Sequence, residues 1–138
     1  LSLMTVAAGT ISLIYEKIKH IVSYEKILII AFSIWISGFM LLFIFELIPI
    51  IIIGIMFFGV GQGMMLPTLM LWTGEKAPKE YKGRITSYLG TFGFLGQFSN
   101  PILFSPVNNL WGYNGIFIFS AFTSLICLIV ITFKTFKS

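Results

Sequence analysis

Three side-chain amides stand inside long apolar stretches of this 138-residue chain: Gln62, Gln97 and Asn100. An amide accepts through its carbonyl and donates through its NH2. Each of the three therefore suits either a hydrogen bond to a polar solute or one to a neighbouring helix. None of them can take up and release a proton. Leu66, Leu69 and Thr73 fall near the angle of Gln62 at helical spacing. That stripe is a candidate cavity wall, in which Gln62 and Leu66 are the candidate contacts, and an interhelical hydrogen bond from Gln62 is the equal alternative.

Other chemistry is poorly represented. His20 and Cys127 are each the single residue of their type, so no disulfide can form within the chain and no metal site is expected. No Ser/His/Asp set, CxxC or phosphate-cradling loop is present. The sequence points to no enzyme and no cofactor. The connector Glu75-Lys76-Ala77-Pro78-Lys79-Glu80-Tyr81-Lys82-Gly83-Arg84 alternates in charge. It is either simply solvated or, through Arg84 at the mouth of the next helix, able to pair with a carboxylate and latch that end of the molecule.

These residues need elements to position them, and composition says which. Hydrophobic residues make up 57% of the chain and charged ones 10%, where soluble domains run near a quarter charged. Residues 27–45, 49–72, 85–104 and 116–133 hold no Asp, Glu, Lys, Arg or His. Each approaches or exceeds the roughly 20 residues that cross a bilayer. The expectation is an all-α, polytopic transmembrane helix bundle in contact with lipid. Residues 1–14 read as a further helix, cut at its amino end and too short to span. Connectors are expected at residues 15–26, 46–48, 73–84 and 105–114.

The nine Lys and Arg fall in residues 15–26, 73–84 and 134–138, while the alternate connectors have none. Excess positive charge marks the cytoplasmic side, which puts the carboxyl terminus in the cytosol. The net charge of +4 thus reflects topology and not nucleic-acid binding. Tyr15, Tyr24, Trp72 and Tyr81 are expected at one interface, Trp111 and Tyr113 at the other. Trp35 sits mid-span and packs against a neighbour or faces lipid.

The spans sort into two kinds. Residues 27–45 and 116–133 are bulky, whereas 49–72 and 85–104 are rich in Gly and carry Gln, Asn and Pro. Small residues let helix backbones approach and polar ones turn from lipid, so the second kind should be interior. Gly59, Gly63 and Pro67 recur every four residues on one face. Pro67 has no N–H, so the carbonyl of Gly63 loses its donor, and the break must be satisfied by a neighbour or water. Gly90, Gly93, Gln97 and Pro101 form a second stripe, with Gly96 and Asn100 beside it. Both stripes suit close packing or a cavity-facing bend.

In combination these motifs resemble the carboxyl half of major facilitator superfamily transporters. The resemblance rests on the GxGxG…P helix (Gly59 to Pro67) and the loop Glu75, Pro78, Gly83, Arg84. It continues through Gly90, Gly96, Gln97 and Pro101 to Gly112-Tyr113 before Phe117. It implies a piece of a two-bundle fold that rocks around a central cavity. The chain would supply the end of the eighth helix and the ninth to twelfth. The tenth would line the cavity, the eleventh would sit at the flank between halves, and the missing amino-terminal bundle would be its partner. By the resemblance Gln62 is a cavity residue and Pro67 a bend, and the implied activity is secondary, proton-coupled transport of a small molecule. The sugar-porter ending is absent after Phe133, which points to the drug and metabolite exporters. Eight Lys against one Arg, with abundant Ile and Phe, suggests a low-GC bacterial source and hence a plasma-membrane protein. The rivals are a non-transporting truncated product or assembly subunit, and a membrane scaffold of another family.

Overall fold

The computed structural model describes residues 2–45 and 47–137. Leu1, Glu46 and Ser138 lie outside the described residues, so the turn expected at residues 46–48 is described only from Leu47 onward. Among the described residues all regular structure is helical: α1 (Ser2–Ile21), α2 (Tyr24–Ile44), α3 (Ile48–Lys76) and α4 (Lys82–Lys137), with a 3-10 turn at Lys79–Tyr81. Long apolar sequence in a bilayer satisfies its backbone polar groups within the helix. Length and composition allow α2, α3 and the region Lys79–Phe136 to cross a membrane.

α4 is not straight. Gly112 holds φ 64° and ψ −163°, a left-handed conformation that glycine adopts at no steric cost. There the chain turns back on itself. Phe104 and Phe119 meet edge to face with ring centroids 5.5 Å apart, whereas 15 residues of unbroken helix would separate them by about 22 Å. The two arms, residues 82–111 and 113–137, are each long enough to span. The expected loop at residues 105–114 is thus corrected: helix runs through Pro106 to Trp111, and one glycine makes the turn.

The other connectors also shrink. α1 continues through Tyr15–Lys19 to Ile21, because the charges of Glu16, Lys17 and Lys19 do not break a helix, and only Val22 and Ser23 separate it from α2. α3 runs to Lys76, so the expected loop over residues 73–84 is reduced to Ala77, Pro78 and the 3-10 turn. Pro49 falls in the first turn of α3, where its missing N–H is not needed.

α3 is the centre of the assembly. It runs parallel to α1, with Met4 beside Gly59, Ala8 beside Gly63 and Lys19 on Glu75. It runs antiparallel to α2, with Gly38 against Gly54 and Ala31 against Gly61. Trp35 locks the second seam. Its ring stacks on Phe58 at 5.2 Å, and its indole N–H donates to the Phe58 carbonyl at 3.0 Å. A Cβ on Gly61 would collide with that indole, so the mid-span tryptophan packs on protein. The buried core gathers Tyr15, Ile27, Ala31 and Met64. Tyr15, expected near the interface, is enclosed by protein: it is 4% exposed and donates to the fully buried Thr68 hydroxyl at 2.8 Å. Thr68 in turn donates to the Met64 carbonyl at 2.6 Å.

Candidate functional site: an amide-lined cleft and a charged end

The glycine–proline face of α3 is closed. A Cβ on Gly59 would press on the Met4 carbonyl and on Ala7, and one on Gly63 on the backbone of Ala8. α3 passes through Pro67 without ending. The Ser12 hydroxyl donates to the Gly63 carbonyl at 3.2 Å. The acceptor that Pro67 leaves without an amide is thereby satisfied by a side chain of α1. Gln62 lies on a different side of α3, half-buried, and Leu66 is exposed. Neither meets the other amides.

Gln97, Asn100 and Pro101 do come together. With Phe39 of α2, Phe58 of α3, and Phe104, Ile116 and Ser120 of α4 they line an open cleft of about 620 Å³. α4 places Gln97 and Asn100 one turn apart on the same side as Phe104, and the return at Gly112 brings Ser120 opposite. Three phenyl rings and three neutral polar groups make a wall without charge. It can grip an apolar body while offering donors and acceptors to fix its orientation. Gln62 is one turn along α3 from Phe58, about 6 Å by helical rise, toward the charged end. The contribution of Phe39, Phe58 and Phe104 was not visible in the sequence, where fifteen phenylalanines carry no mark that separates three of them.

The first arm of α4 is open elsewhere too. Gly90, Gly93 and Gly96 have nothing within 4 Å of an added Cβ, and no residue from 82 to 111 is buried. The close packing expected at these glycines has no partner among the described residues. No side chain among them donates to the carbonyl of Gln97, which Pro101 deprives of its amide.

At the opposite end from Gly112 the basic segments converge. Glu75 accepts from Lys19 Nζ at 2.7 Å and from the Tyr24 hydroxyl at 2.5 Å, which ties the ends of α1, α2 and α3. All three groups lie beyond the uncharged runs. The hydrogen bond from Lys19, then that from Tyr24, holds the Glu75 carboxyl below its usual range. The same bond to Glu75 raises Lys19. Tyr24 stacks on Trp72 at 6.2 Å, and Lys76 sits over Trp72 at 4.7 Å. Of the two readings of the connector, the latch through Arg84 is not formed: Arg84 pairs with no carboxylate among the described residues. It lies 5.8 Å over the Tyr81 ring, while Gly83 is exposed with open space around it. The first residue of the charged connector, Glu75, takes the pairing role, because α1 extends far enough to deliver Lys19.

A family model described as Major Facilitator Superfamily matches residues 1–137. The chain belongs to the major facilitator superfamily. No curated protein and no solved structure matches it. Membership agrees with the helical architecture and makes this a multi-pass membrane protein of a superfamily whose members move solutes across membranes.

Proposed function

We propose that the chain is the carboxyl-side portion of a secondary transporter of the efflux type. In this proposal it is coupled to protons and works with an amino-terminal bundle in a bacterial plasma membrane. The cleft of Gln97, Asn100 and Pro101 carries the proposal. It is a concave, uncharged, phenyl-lined wall that takes an amphipathic small molecule, with Gln62 and Leu66 one and two turns further along α3. The open arm of α4, with Gly90, Gly93 and Gly96 unfilled, supports a second bundle packing there. The four apolar runs lack carboxylates, so in this proposal the proton-carrying group lies in a part of the transporter outside them. Alternating access needs both. The converging Lys and Arg support a cytoplasmic carboxyl terminus.

The test is thiol accessibility in the full transporter, on a Cys127→Ser background, with cysteine at residue 62 or 97. Both positions should react with a membrane-impermeant maleimide, and the transported solute should slow the reaction. Complete protection in every condition would overturn the cavity assignment. Labelling of a cysteine at residue 109 from the cytoplasmic side would overturn the orientation.

A further inference from the structure

We propose that the cleft at the basic end binds the headgroup of an anionic phospholipid, a glycerol phosphodiester, with an acyl chain in the apolar groove that continues from it. The cleft measures about 280 Å³ and is lined by Glu25, Trp72, Lys76, Ile131, Lys134 and Thr135. α2, α3 and the second arm of α4 each contribute to it. An adjoining hollow of about 310 Å³ shares Trp72, Lys76 and Lys134.

Lys76 and Lys134 have no carboxylate partner among the described residues, where the ion pair is Lys19–Glu75. Their ammonium groups remain available to phosphate oxygens. Lys76 is held by its contact with the Trp72 ring, and Tyr24 backs that ring from the next helix. Trp at the end of an apolar run sits at headgroup level. Basic pockets between transmembrane helices suit phospholipid headgroups.

Two further groups narrow the headgroup. Glu25, on the same wall, accepts hydrogen bonds when ionised. The Thr135 hydroxyl already donates to the Ile131 carbonyl at 2.9 Å, so it too is left as an acceptor. Both favour a headgroup that carries hydroxyl donors. Two lysines and one glutamate leave one positive charge, which a single phosphodiester neutralises. Ile131 also lines a wholly apolar groove of about 260 Å³ with Leu28, Leu69 and Cys127. A polar cleft joined at one residue to an apolar groove is the shape of a headgroup followed by a chain.

The experiment is native mass spectrometry of the full protein, released from nanodiscs of equal phosphatidylglycerol, phosphatidylethanolamine and phosphatidylcholine. Phosphatidylglycerol should be retained about tenfold over phosphatidylcholine. Lys76→Gln with Lys134→Gln should abolish the preference, and Lys76→Arg with Lys134→Arg should keep it, which separates charge from misfolding. Ile131→Trp should weaken retention by filling the groove. Equal retention of phosphatidylglycerol and phosphatidylcholine, or a preference unchanged in the double Gln variant, would sink the proposal. So would a preference for phosphatidylethanolamine, or displacement of the lipid by millimolar sn-glycerol 3-phosphate, which would make it a site for free phosphate.

Discussion

Residues 59–67 of α3 and residues 90–101 of α4 are built from the same parts: glycines at helical spacing, a glutamine, and a proline four residues after a carbonyl. Their surroundings are opposite. Gly59 and Gly63 sit against the backbone of α1, and the carbonyl orphaned by Pro67 is answered by Ser12. Gly90, Gly93 and Gly96 face open space, and Gln97 and Asn100 open on a cleft. The same vocabulary thus serves a finished helix seam in one place and an unfinished surface in the other. A glycine stripe says that something can come close. It does not say what comes, or from which chain.

The sharpest way to break the comparison is to add volume to the finished seam. Gly63→Val would drive its side chain into the backbone of Ala8, which cannot rotate away as a side chain could. Overpacking of this kind costs about 1–3 kcal/mol. We expect α1 to lift from α3, with a lowered Tm in detergent. An unchanged Tm would mean that the seam is not close-packed in the membrane.

The proline break gives a finer test through a double-mutant cycle. Ser12→Ala removes the donor to the Gly63 carbonyl, at a cost near the roughly 0.6 kcal/mol of an interhelical hydrogen bond in a membrane protein. Pro67→Ala restores the helix's own amide, so Ser12→Ala in that background should cost less. Additive effects would show that Ser12 does not serve the freed acceptor. The sequence disclosed half of this arrangement. That Pro67 orphans Gly63 follows from covalent structure, whereas Ser12, 51 residues away, is supplied by a helix register that no local pattern encodes.

The same limit explains the other misplacements. Charge at Glu16, Lys17 and Lys19 suggested the end of α1, yet helix propensity carries it on to Ile21. One side of α1 then bears Tyr15 and Lys19 at i, i+4, which meet Thr68 and Glu75. The helical class, the interior place of α3 and the convergence of the basic segments were legible because hydropathy and charge act over whole segments. The same sorting misplaced residues 85–104, which hold no buried residue, and residues 27–45, which bury Ile27, Leu28, Ala31, Phe32 and Gly38. The latch was not, because Arg84 and Glu75 share one connector and only the tertiary register decides which of them finds a partner.

That latch is the third test, and its sign can be stated. The bonds from Lys19 and Tyr24 lower the folded-state pKa of Glu75 from its ordinary 4.5. Its contribution is therefore present above pH 4.5 and is lost as pH falls through the lower folded value. Lys19 is raised from 10.5, so its share is present below that pH and fades only in strong alkali. Stability at the basic end should be flat across neutral pH and drop in acid, and Glu75→Gln should flatten the acid limb. The pair is partly exposed, at 32% and 55%, so high salt should weaken the effect as well. An acid limb identical in wild type and Glu75→Gln would remove the latch from the account of that end.

The smallest expected effect falls on the unfinished surface. Gly93→Ala meets no neighbour in this chain and replaces a residue that costs a helix interior about 1 kcal/mol relative to alanine. The variant of this chain alone should be as stable as the parent or slightly more so. In the full transporter the same methyl group would stand where the proposed second bundle approaches, and transport should fall while folding does not. Destabilisation of the isolated chain would show that the first arm of α4 packs inward after all. Unimpaired transport would show that no helix comes close at Gly93. The two readouts together locate the difference between α3 and α4 in the partner and not in the stripe.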